Sequence, residues 1–130
     1  MIVVDSSVIV TALADDGPDG DQARRRLRGE RLAAPHIIDL EVISGWRRLT
    51  AAGDLDERRA ALAIDDLRAL RVDRVDHGPL LERCWALRAN VTVYDAAYVA
   101  LAELLGATLV TVDRRIANAP GARCAIEVLT

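Results

Sequence analysis

The sequence predicts an α/β fold in which a mostly parallel sheet of four or five strands is flanked by helices on both faces. Short apolar segments alternate along the chain with longer stretches of helical periodicity. This alternation is typical of βαβ units, whose crossover helices cover both faces of a parallel sheet. The 130 residues have the size of one domain, and no linker, repeat or low-complexity tract divides them. We therefore expect a single domain spanning residues 1–130.

Five short segments are predicted as strands. Some are runs of β-branched residues, such as Ile2-Val3-Val4, and others alternate apolar with polar residues, as at Val72 and Val75. Pro35 closes the second strand, because proline lacks the N–H that a sheet requires. The predicted strands are residues 2–4, 32–34, 72–75, 108–112 and 124–129.

Seven helical segments are predicted between and after these strands. They are residues 8–13, a segment from about 18 to 27, then residues 37–51, 55–70, 79–88, 93–105 and a helical turn at 113–118. In the third helix we expect an apolar face made of Ile37, Leu40, Ile43 and Trp46. We expect Asp54 to cap the fourth helix, since a glutamate follows three residues later at the capping-box position.

The helix at residues 93–105 is the one around which the chain is organised. Thr92 is a favourable N-cap, Asp95 lies three residues later in the first turn, and Gly106 is placed to end the helix. Its predicted apolar stripe consists of Val93, Ala96, Ala97, Ala100, Leu101 and Leu104. The simplest explanation of Asp95 is that it helps its own helix begin.

Composition excludes several classes of protein. With 28% charged residues and no apolar run near the ~20 residues of a membrane span, a membrane protein is not expected. The amino terminus lacks the features of a secretory signal, which predicts a cytoplasmic location. Cys84 and Cys124 are too isolated to predict a zinc site or a disulfide framework. The net charge of −3 means that any contact with nucleic acid must use local arginine clusters or metal ions.

Four acidic residues lie beside apolar segments. Asp5 and Asp113 directly follow predicted strands, Asp95 lies in a first helical turn, and Glu41 lies inside the third helix. Each also fits an ordinary role, as a helix cap or as an acid at the rim of its helix. The carboxyl ends of parallel strands meet at one edge of a sheet, where ligands collect in open α/β folds. Together, the four acids therefore predict a site at that edge.

Several carboxylates at one place repel one another and raise one another's pKa unless a cation lies among them. The chain has no lysine at all to act as that cation. Oxygen ligands favour Mg²⁺ or Mn²⁺, and Mg²⁺ also binds phosphate oxygens. This combination predicts metal-assisted attack of water on a phosphodiester.

Four motifs, which together span nearly the whole chain, resemble those of PIN-domain nucleases, and most closely the VapC toxins of bacterial toxin–antitoxin pairs. The motifs are Ile2-Val3-Val4-Asp5-Ser6-Ser7-Val8, Pro35 with Glu41-Val42, Tyr94-Asp95-Ala96-Ala97-Tyr98-Val99-Ala100-Leu101-Ala102, and Leu109-Val110-Thr111-Val112-Asp113. They occur in the family's order and at suitable spacing. The arginine-rich second helix and the absence of lysine are not hallmarks of the family.

The resemblance implies a PIN fold with an acidic pocket and an endoribonuclease that depends on Mg²⁺ or Mn²⁺. The residues that fall on the family's acidic positions are Asp5, Glu41, Asp95 and Asp113. Asp5, Asp95 and Asp113 would then hold the metal, and Glu41 would bind it directly or through water, or help to deprotonate the nucleophile. Ser7 and Thr111 match small polar residues of the family, which would steady the acids or a metal-bound water.

The resemblance also implies partners. An antitoxin would wrap the toxin and cover the acidic groove, and the toxin would form homodimers and hetero-oligomers with it. RNA in single-stranded loops is the expected substrate, because a shallow pocket must receive an exposed phosphodiester. The residues proposed to hold flanking phosphates are Arg24, Arg25, Arg47 and Arg114.

Three other functions are compatible with parts of this pattern. One is a PIN nuclease that processes RNA without an antitoxin. Another is a receiver-like phosphoacceptor, which needs paired acids near the first strand and a later lysine that this chain lacks. The third is a non-catalytic protein-binding module, which the presence of all four acids disfavours.

Overall fold

A five-stranded, wholly parallel sheet forms the centre of the computed structural model, which describes residues 1–130. The strands are β1 (Ile2–Val4), β2 (Leu32–Pro35), β3 (Val72–Val75), β4 (Thr108–Thr111) and β5 (Ile126–Val128). Their order is β3-β2-β1-β4-β5, and every neighbouring pair is parallel. The predicted α/β fold with a parallel sheet is confirmed. Because the chain moves outward from β1 first on one side and then on the other, the direction of winding changes between β1 and β4.

Seven α-helices surround the sheet. They are α1 (Ser6–Ala14), α2 (Pro18–Leu27), α3 (Ile38–Ala51), α4 (Glu57–Ala69), α5 (Leu81–Ala86), α6 (Val93–Leu105) and α7 (Arg114–Ala117), with a 3₁₀ turn at Gly78–Leu80 before α5. Helix α1 packs against α2, α3 and α4, whereas α6 packs against α5 and against β1, β2 and β4. None of these helices has the length and hydropathy that crossing a bilayer requires.

The predicted start of α4 is wrong. The helix begins at Glu57 with Asp56 in the N-cap position, and Asp54 is not its cap. Instead, the backbone N–H groups of Asp54 and Leu55 both donate to the carbonyl of Leu49. These bonds hold both residues in the turn that ends α3, so α4 cannot begin at residue 55 and begins instead at Glu57.

Helix α6 begins and ends as predicted. The Thr92 hydroxyl accepts the backbone N–H of Asp95 at 3.1 Å, and Gly106 ends the helix with a left-handed φ of 61°. The burial pattern is broader than a stripe, because every residue from 96 to 102 is buried. The ends of the predicted stripe are wrong, since Val93 and Leu104 are exposed. The middle of α6 lies between the sheet and α5, where its small alanines permit close packing, whereas both ends extend beyond that contact.

The predicted apolar face of α3 is also wrong in part. Leu40 and Ile43 are exposed. The residues that α3 buries are Ile38, Val42, Gly45 and Trp46. The Trp46 indole donates to the carbonyl of Val10 at 3.2 Å, and a Cβ at Gly45 would lie only 2.9 Å from the Val10 side chain. This close contact with α1 sets the rotation of α3 about its axis and turns Leu40 outward.

The carboxyl end of α6 is tied to α5 and to the loop before β5 through one acid. Glu103 accepts Nε and Nη2 of Arg83 at 2.7 and 3.2 Å, and it accepts the backbone N–H of Arg123 at 2.7 Å. Arg83 also donates to the carbonyl of Gly121 at 2.6 Å. Burial acts to raise the pKa of Glu103, but the bonds from Arg83 and Arg123 outweigh it and hold that pKa below its usual value.

We expect Glu103→Gln to lower the free energy of unfolding at pH 7 by about 1.5–3 kcal/mol, the range for hydrogen bonds to a charged group. A carboxyl with a depressed folded pKa stabilises the fold above its unfolded pKa, about 4.3 for Glu, and this contribution is lost as pH falls through the folded value. Urea unfolding at a series of acidic pH values should show that the difference in free energy of unfolding between wild type and Glu103→Gln becomes smaller as the pH falls. Asp65→Asn is the control, because its ion pair with Arg68 is exposed on both sides. An equal loss in both variants would contradict this role for Glu103.

Candidate active site

The four predicted acids lie at the edge of the sheet where the strands end. Asp5 directly follows β1, and Asp113 follows β4 after one intervening residue. Burial is the main cause that raises the pKa of both Glu41 and Asp95; the charges of Asp5 and Asp95 raise the pKa of Glu41 further, and those of Asp5 and Asp113 raise that of Asp95 further. The structure thus brings these carboxylates within electrostatic reach of one another, as the strand-end argument predicts.

Asp5 is the buried centre of this group, with 4% of its surface exposed. Its backbone N–H donates to the carbonyl of Val110 at 2.9 Å, which continues the pairing of β1 with β4 past the end of the strand. This bond brings the Asp5 carboxylate beside Thr111 in the sheet. Burial raises the pKa of Asp5, and the hydroxyls of Ser7 and Thr111 oppose that rise. No arginine pairs with Asp5.

Two hydroxyl groups bind both the Asp5 carboxylate and the backbone of the loop that follows β4. Ser7 and Thr111 both donate to Oδ2 of Asp5, at 2.5 and 2.9 Å. The same hydroxyl oxygens accept backbone N–H groups, Ser7 from Val112 at 3.3 Å and Thr111 from Asp113 at 3.0 Å. Since each hydroxyl has one proton, the two N–H groups leave that proton for Asp5. Both residues therefore hold Oδ2 of Asp5 as a hydrogen-bond acceptor and tie Asp5 to the loop that carries Asp113.

Glu41 has a partner that the sequence argument did not assign. The Tyr98 hydroxyl donates to Oε1 of Glu41 at 2.6 Å, and the Tyr98 side chain is fully buried. Burial first, and then the hydrogen bond to Glu41 and the charge of that carboxylate, raise the pKa of Tyr98 well above its usual value, so the phenol remains a donor. Burial also raises the pKa of Glu41. The signal was present in the sequence, because Tyr98 follows Asp95 by three residues and shares its face of α6.

Asp113 is held by an arginine neighbour. Arg115 donates Nε and Nη2 to the two carboxylate oxygens of Asp113 at 3.1 and 2.9 Å, and its backbone N–H donates to Oδ1 at 2.9 Å. These bonds lower the pKa of Asp113. The last N–H bond makes Asp113 the N-cap of α7, so this acid has both the capping role and a position in the acidic group.

The four arginines predicted to bind RNA make no contact with the acids. Arg24 is used inside the chain, where Nη1 donates to the carbonyls of Ala12 and Asp15 at 2.9 and 2.8 Å. Arg25, Arg47 and Arg114 are exposed on α2, α3 and α7. Their role in RNA binding stays a prediction. Of the residues near the acids, it is Arg115 and not Arg114 that pairs with Asp113.

The chemistry of the donor set suits a hard divalent cation. All four side chains offer carboxylate oxygens, and Asp5 is a buried carboxylate without a cationic partner, which a metal ion would supply. In this arrangement no group of three or more Asp, Glu, His or Cys side chains converges closely enough to hold a metal ion. Arg115 donates to both carboxylate oxygens of Asp113, whereas Tyr98 donates only to Oε1 of Glu41, so a cation would share Asp113 with Arg115 and would find Oε2 of Glu41 free.

Comparison with known proteins identifies the family of this chain. The model of the PIN domain matches residues 2–122. Ribonuclease VapC9 of Mycobacterium tuberculosis is 44% identical over 99% of this chain and 98% of its own length. The chain belongs to the VapC group of the PIN domain family. Ribonuclease VapC1 of the same organism is 42% identical to this PIN domain over 98% of this chain and 96% of its own length.

Solved structures show the same PIN fold. The crystal structure of PAE2754 from Pyrobaculum aerophilum is 27% identical, with a TM-score of 0.69 over 98% of this chain and 83% of that one. VapBC2 from Rickettsia felis, bound to a DNA fragment from its promoter, also has a TM-score of 0.69, at 17% identity over 98% of both chains. The second likeness supports the fold alone.

Proposed function

We propose that this PIN domain is a metal-dependent endoribonuclease, the toxin of a toxin–antitoxin pair, which hydrolyses RNA phosphodiester bonds. The observation that carries the proposal is the buried Asp5 carboxylate, which two hydroxyls orient at the strand edge beside three further acids. Such a buried anion has no structural partner of opposite charge, so stability alone gives no reason for it. Its relatives named ribonuclease VapC support RNA as the substrate.

The residues that would hold Mg²⁺ or Mn²⁺ are Asp5, Asp95 and Asp113, with Glu41 bound directly or through water. When bound, the cation lowers the pKa of the attacking water and offsets negative charge on the phosphate. Ser7 and Thr111 keep the lone pairs of Asp5 in a fixed direction. Because its pKa is raised, Glu41 is a stronger base than an exposed carboxylate, and Tyr98 fixes its position. Glu41 therefore suits either of its proposed roles, metal ligand or proton acceptor.

We propose partners in line with this assignment. Solved structures with a similar fold include a toxin–antitoxin complex from Klebsiella pneumoniae and DNA-bound VapBC from Salmonella typhimurium. For this chain we propose a cognate antitoxin that covers the acidic groove, together with homodimers and toxin–antitoxin hetero-oligomers. The cytoplasm, where both RNA and antitoxin are made, is the proposed location. The chain as a whole, residues 1–130, would act as one domain.

Cleavage of a total RNA pool by wild type and by Asp95→Asn, with the cut ends sequenced, tests the proposal. We expect wild type to cut defined sites with Mg²⁺ or Mn²⁺ and to lose this activity in EDTA. Asp95→Asn should be slower by on the order of 100-fold or more, since a lost ligand costs several kcal/mol of transition-state stabilisation. The fold should persist, because the cap of α6 uses the backbone N–H of residue 95.

Asp65→Asn, on the exposed face of α4, is the matched control and should cut like wild type. Undiminished cleavage by Asp95→Asn, or cleavage that persists in EDTA, would refute the metal-dependent assignment. Growth arrest on expression, relieved by a protein encoded beside this gene, distinguishes a toxin from an RNA-processing nuclease.

A further inference from the structure

A cleft of about 500 Å³ opens directly beside Asp95. It lies between the turn after α5, the first turn of α6 and the start of α7. Its polar lining consists of Arg88, Asn90, Thr92, Asp95 and Arg115. Two guanidinium groups therefore flank one carboxylate of the proposed active site. We call this space the α5–α7 cleft.

Arg88 is held in the cleft without an acidic partner. Its guanidinium carbon lies 4.2 Å from the ring centroid of Trp85, and Nη1 donates to the Trp85 carbonyl at 2.8 Å. Nε and Nη2 make no hydrogen bond within the chain. The Trp85 ring is 65% exposed, so this aromatic surface is not part of the core. The stack restricts the conformations of Arg88 and leaves two donors free, an arrangement that suits recognition of an anion.

Arg115 forms the opposite side of the cleft. Nε and Nη2 pair with Asp113, whereas Nη1 has no partner in the chain and the side chain is 91% exposed. The pair with Asp113 fixes the plane of this guanidinium. Arg115 can therefore offer a free N–H to a ligand without giving up its carboxylate.

Asn90 and Thr92 are the two remaining polar residues that line the α5–α7 cleft. Asn90 Nδ2 donates to the carbonyl of Pro120 at 2.8 Å, which ties the turn after α5 to the loop after α7. Thr92 caps α6 with its side chain. Each of these side chains makes a bond within the protein that fixes its position, and the positively charged groups available to an anion are the two arginines and the amino-terminal end of α6.

We propose that the α5–α7 cleft binds backbone phosphates of the RNA strand beside the bond that is cut, with Arg88 and Arg115 each contacting one phosphate. This inference rests on the proposed function, because it takes Asp95 as part of the active site. A chain with a net charge of −3 and an acidic pocket repels RNA at long range, so local cations must hold the strand. The cleft supplies two of them next to the proposed catalytic group.

Binding can be measured without cleavage. The anisotropy of a short fluorescein-labelled single-stranded RNA is followed in EDTA at several salt concentrations, for wild type, Arg88→Gln and Arg115→Gln. Loss of one phosphate contact should make the slope of log K against log salt less steep by about 0.7, which is about fivefold weaker binding at 0.1 M salt. The control is Arg71→Gln, with the same change of charge just before β3, at the opposite edge of the sheet.

Trp85 offers a second readout. Acrylamide quenching of the intrinsic fluorescence reports mainly on this residue, because Trp46 is only 2% exposed. We expect RNA to protect Trp85 from acrylamide in wild type and not in Arg88→Gln. Unchanged binding in both cleft variants, an equal loss in Arg71→Gln, or no protection of Trp85 would each overturn the assignment.

The experiments distinguish a wrong assignment of the α5–α7 cleft from a wrong nuclease proposal. If wild type cuts RNA with Mg²⁺ while the cleft variants bind RNA like wild type, the nuclease proposal stands and the cleft is not its subsite. If the cleft variants lose binding while wild type never cuts RNA, the cleft binds RNA and the nuclease proposal is wrong.

Discussion

Asp5→Asn is expected to slow RNA cleavage by on the order of 100-fold or more without lowering the stability of the fold. The substitution keeps the size of the side chain and removes the charge. Asp5 is 4% exposed and accepts hydrogen bonds from two hydroxyls, so an amide oxygen can take over their protons. The cation, by contrast, loses the one buried anionic ligand in the proposed site.

The stability of this variant has a definite sign and pH dependence. Burial raises the pKa of Asp5, so the folded state binds that proton more tightly than the unfolded state does. Above its folded pKa, the ionised Asp5 therefore destabilises the fold, and below its unfolded pKa the penalty is gone. We expect Asp5→Asn in EDTA to be at least as stable as wild type at pH 7. Its advantage should shrink as the pH falls towards about 3.9, the ordinary pKa of Asp.

Urea unfolding and RNA cleavage should be measured on the same preparations. Asp65→Asn again serves as the control, because it removes an equal charge from an exposed position. If Asp5→Asn cuts RNA at the wild-type rate, Asp5 is not a metal ligand. If it loses activity only because it unfolds, the carboxylate has a structural role and the site assignment fails.

Local sequence signals were sufficient to predict the strands and the positions of the acids. Runs such as Ile2-Val3-Val4 mark buried parallel strands, and an acid just after such a run must lie at the carboxyl edge. Thr92 and Gly106 marked the ends of α6 because capping depends on residues close in sequence. These features require no knowledge of which elements are neighbours in space.

The partners of the acids depend on such knowledge. The bond from Tyr98 to Glu41 joins residues 57 positions apart, and the one from Thr111 to Asp5 joins residues 106 apart. Periodicity also failed to tell which apolar residues of α3 face inward, because Leu40 extends an apolar pattern as well as Ile38 does. Only the contact of Trp46 with α1 decides between them.

Trp46→Ala should therefore have the largest effect on stability of any single substitution proposed for this chain, with a loss of about 3–5 kcal/mol in the free energy of unfolding. The indole is 2% exposed, and its N–H donates to the carbonyl of Val10, so truncation leaves a cavity and removes a buried hydrogen bond. Trp85→Ala is the matched control. Its ring is 65% exposed, and we expect a change within about 0.5 kcal/mol.

The same two variants separate stability from RNA binding. Urea unfolding followed by circular dichroism should show a large loss for Trp46→Ala and almost none for Trp85→Ala, whereas RNA anisotropy should show weaker binding for Trp85→Ala because Arg88 loses its stacking surface. Trp46→Phe keeps most of the buried volume and supplies a folded variant if Trp46→Ala does not fold. A loss of stability in Trp85→Ala equal to that in Trp46→Ala would mean that Trp85 belongs to the core, and the exposed stack proposed for the α5–α7 cleft would then be wrong.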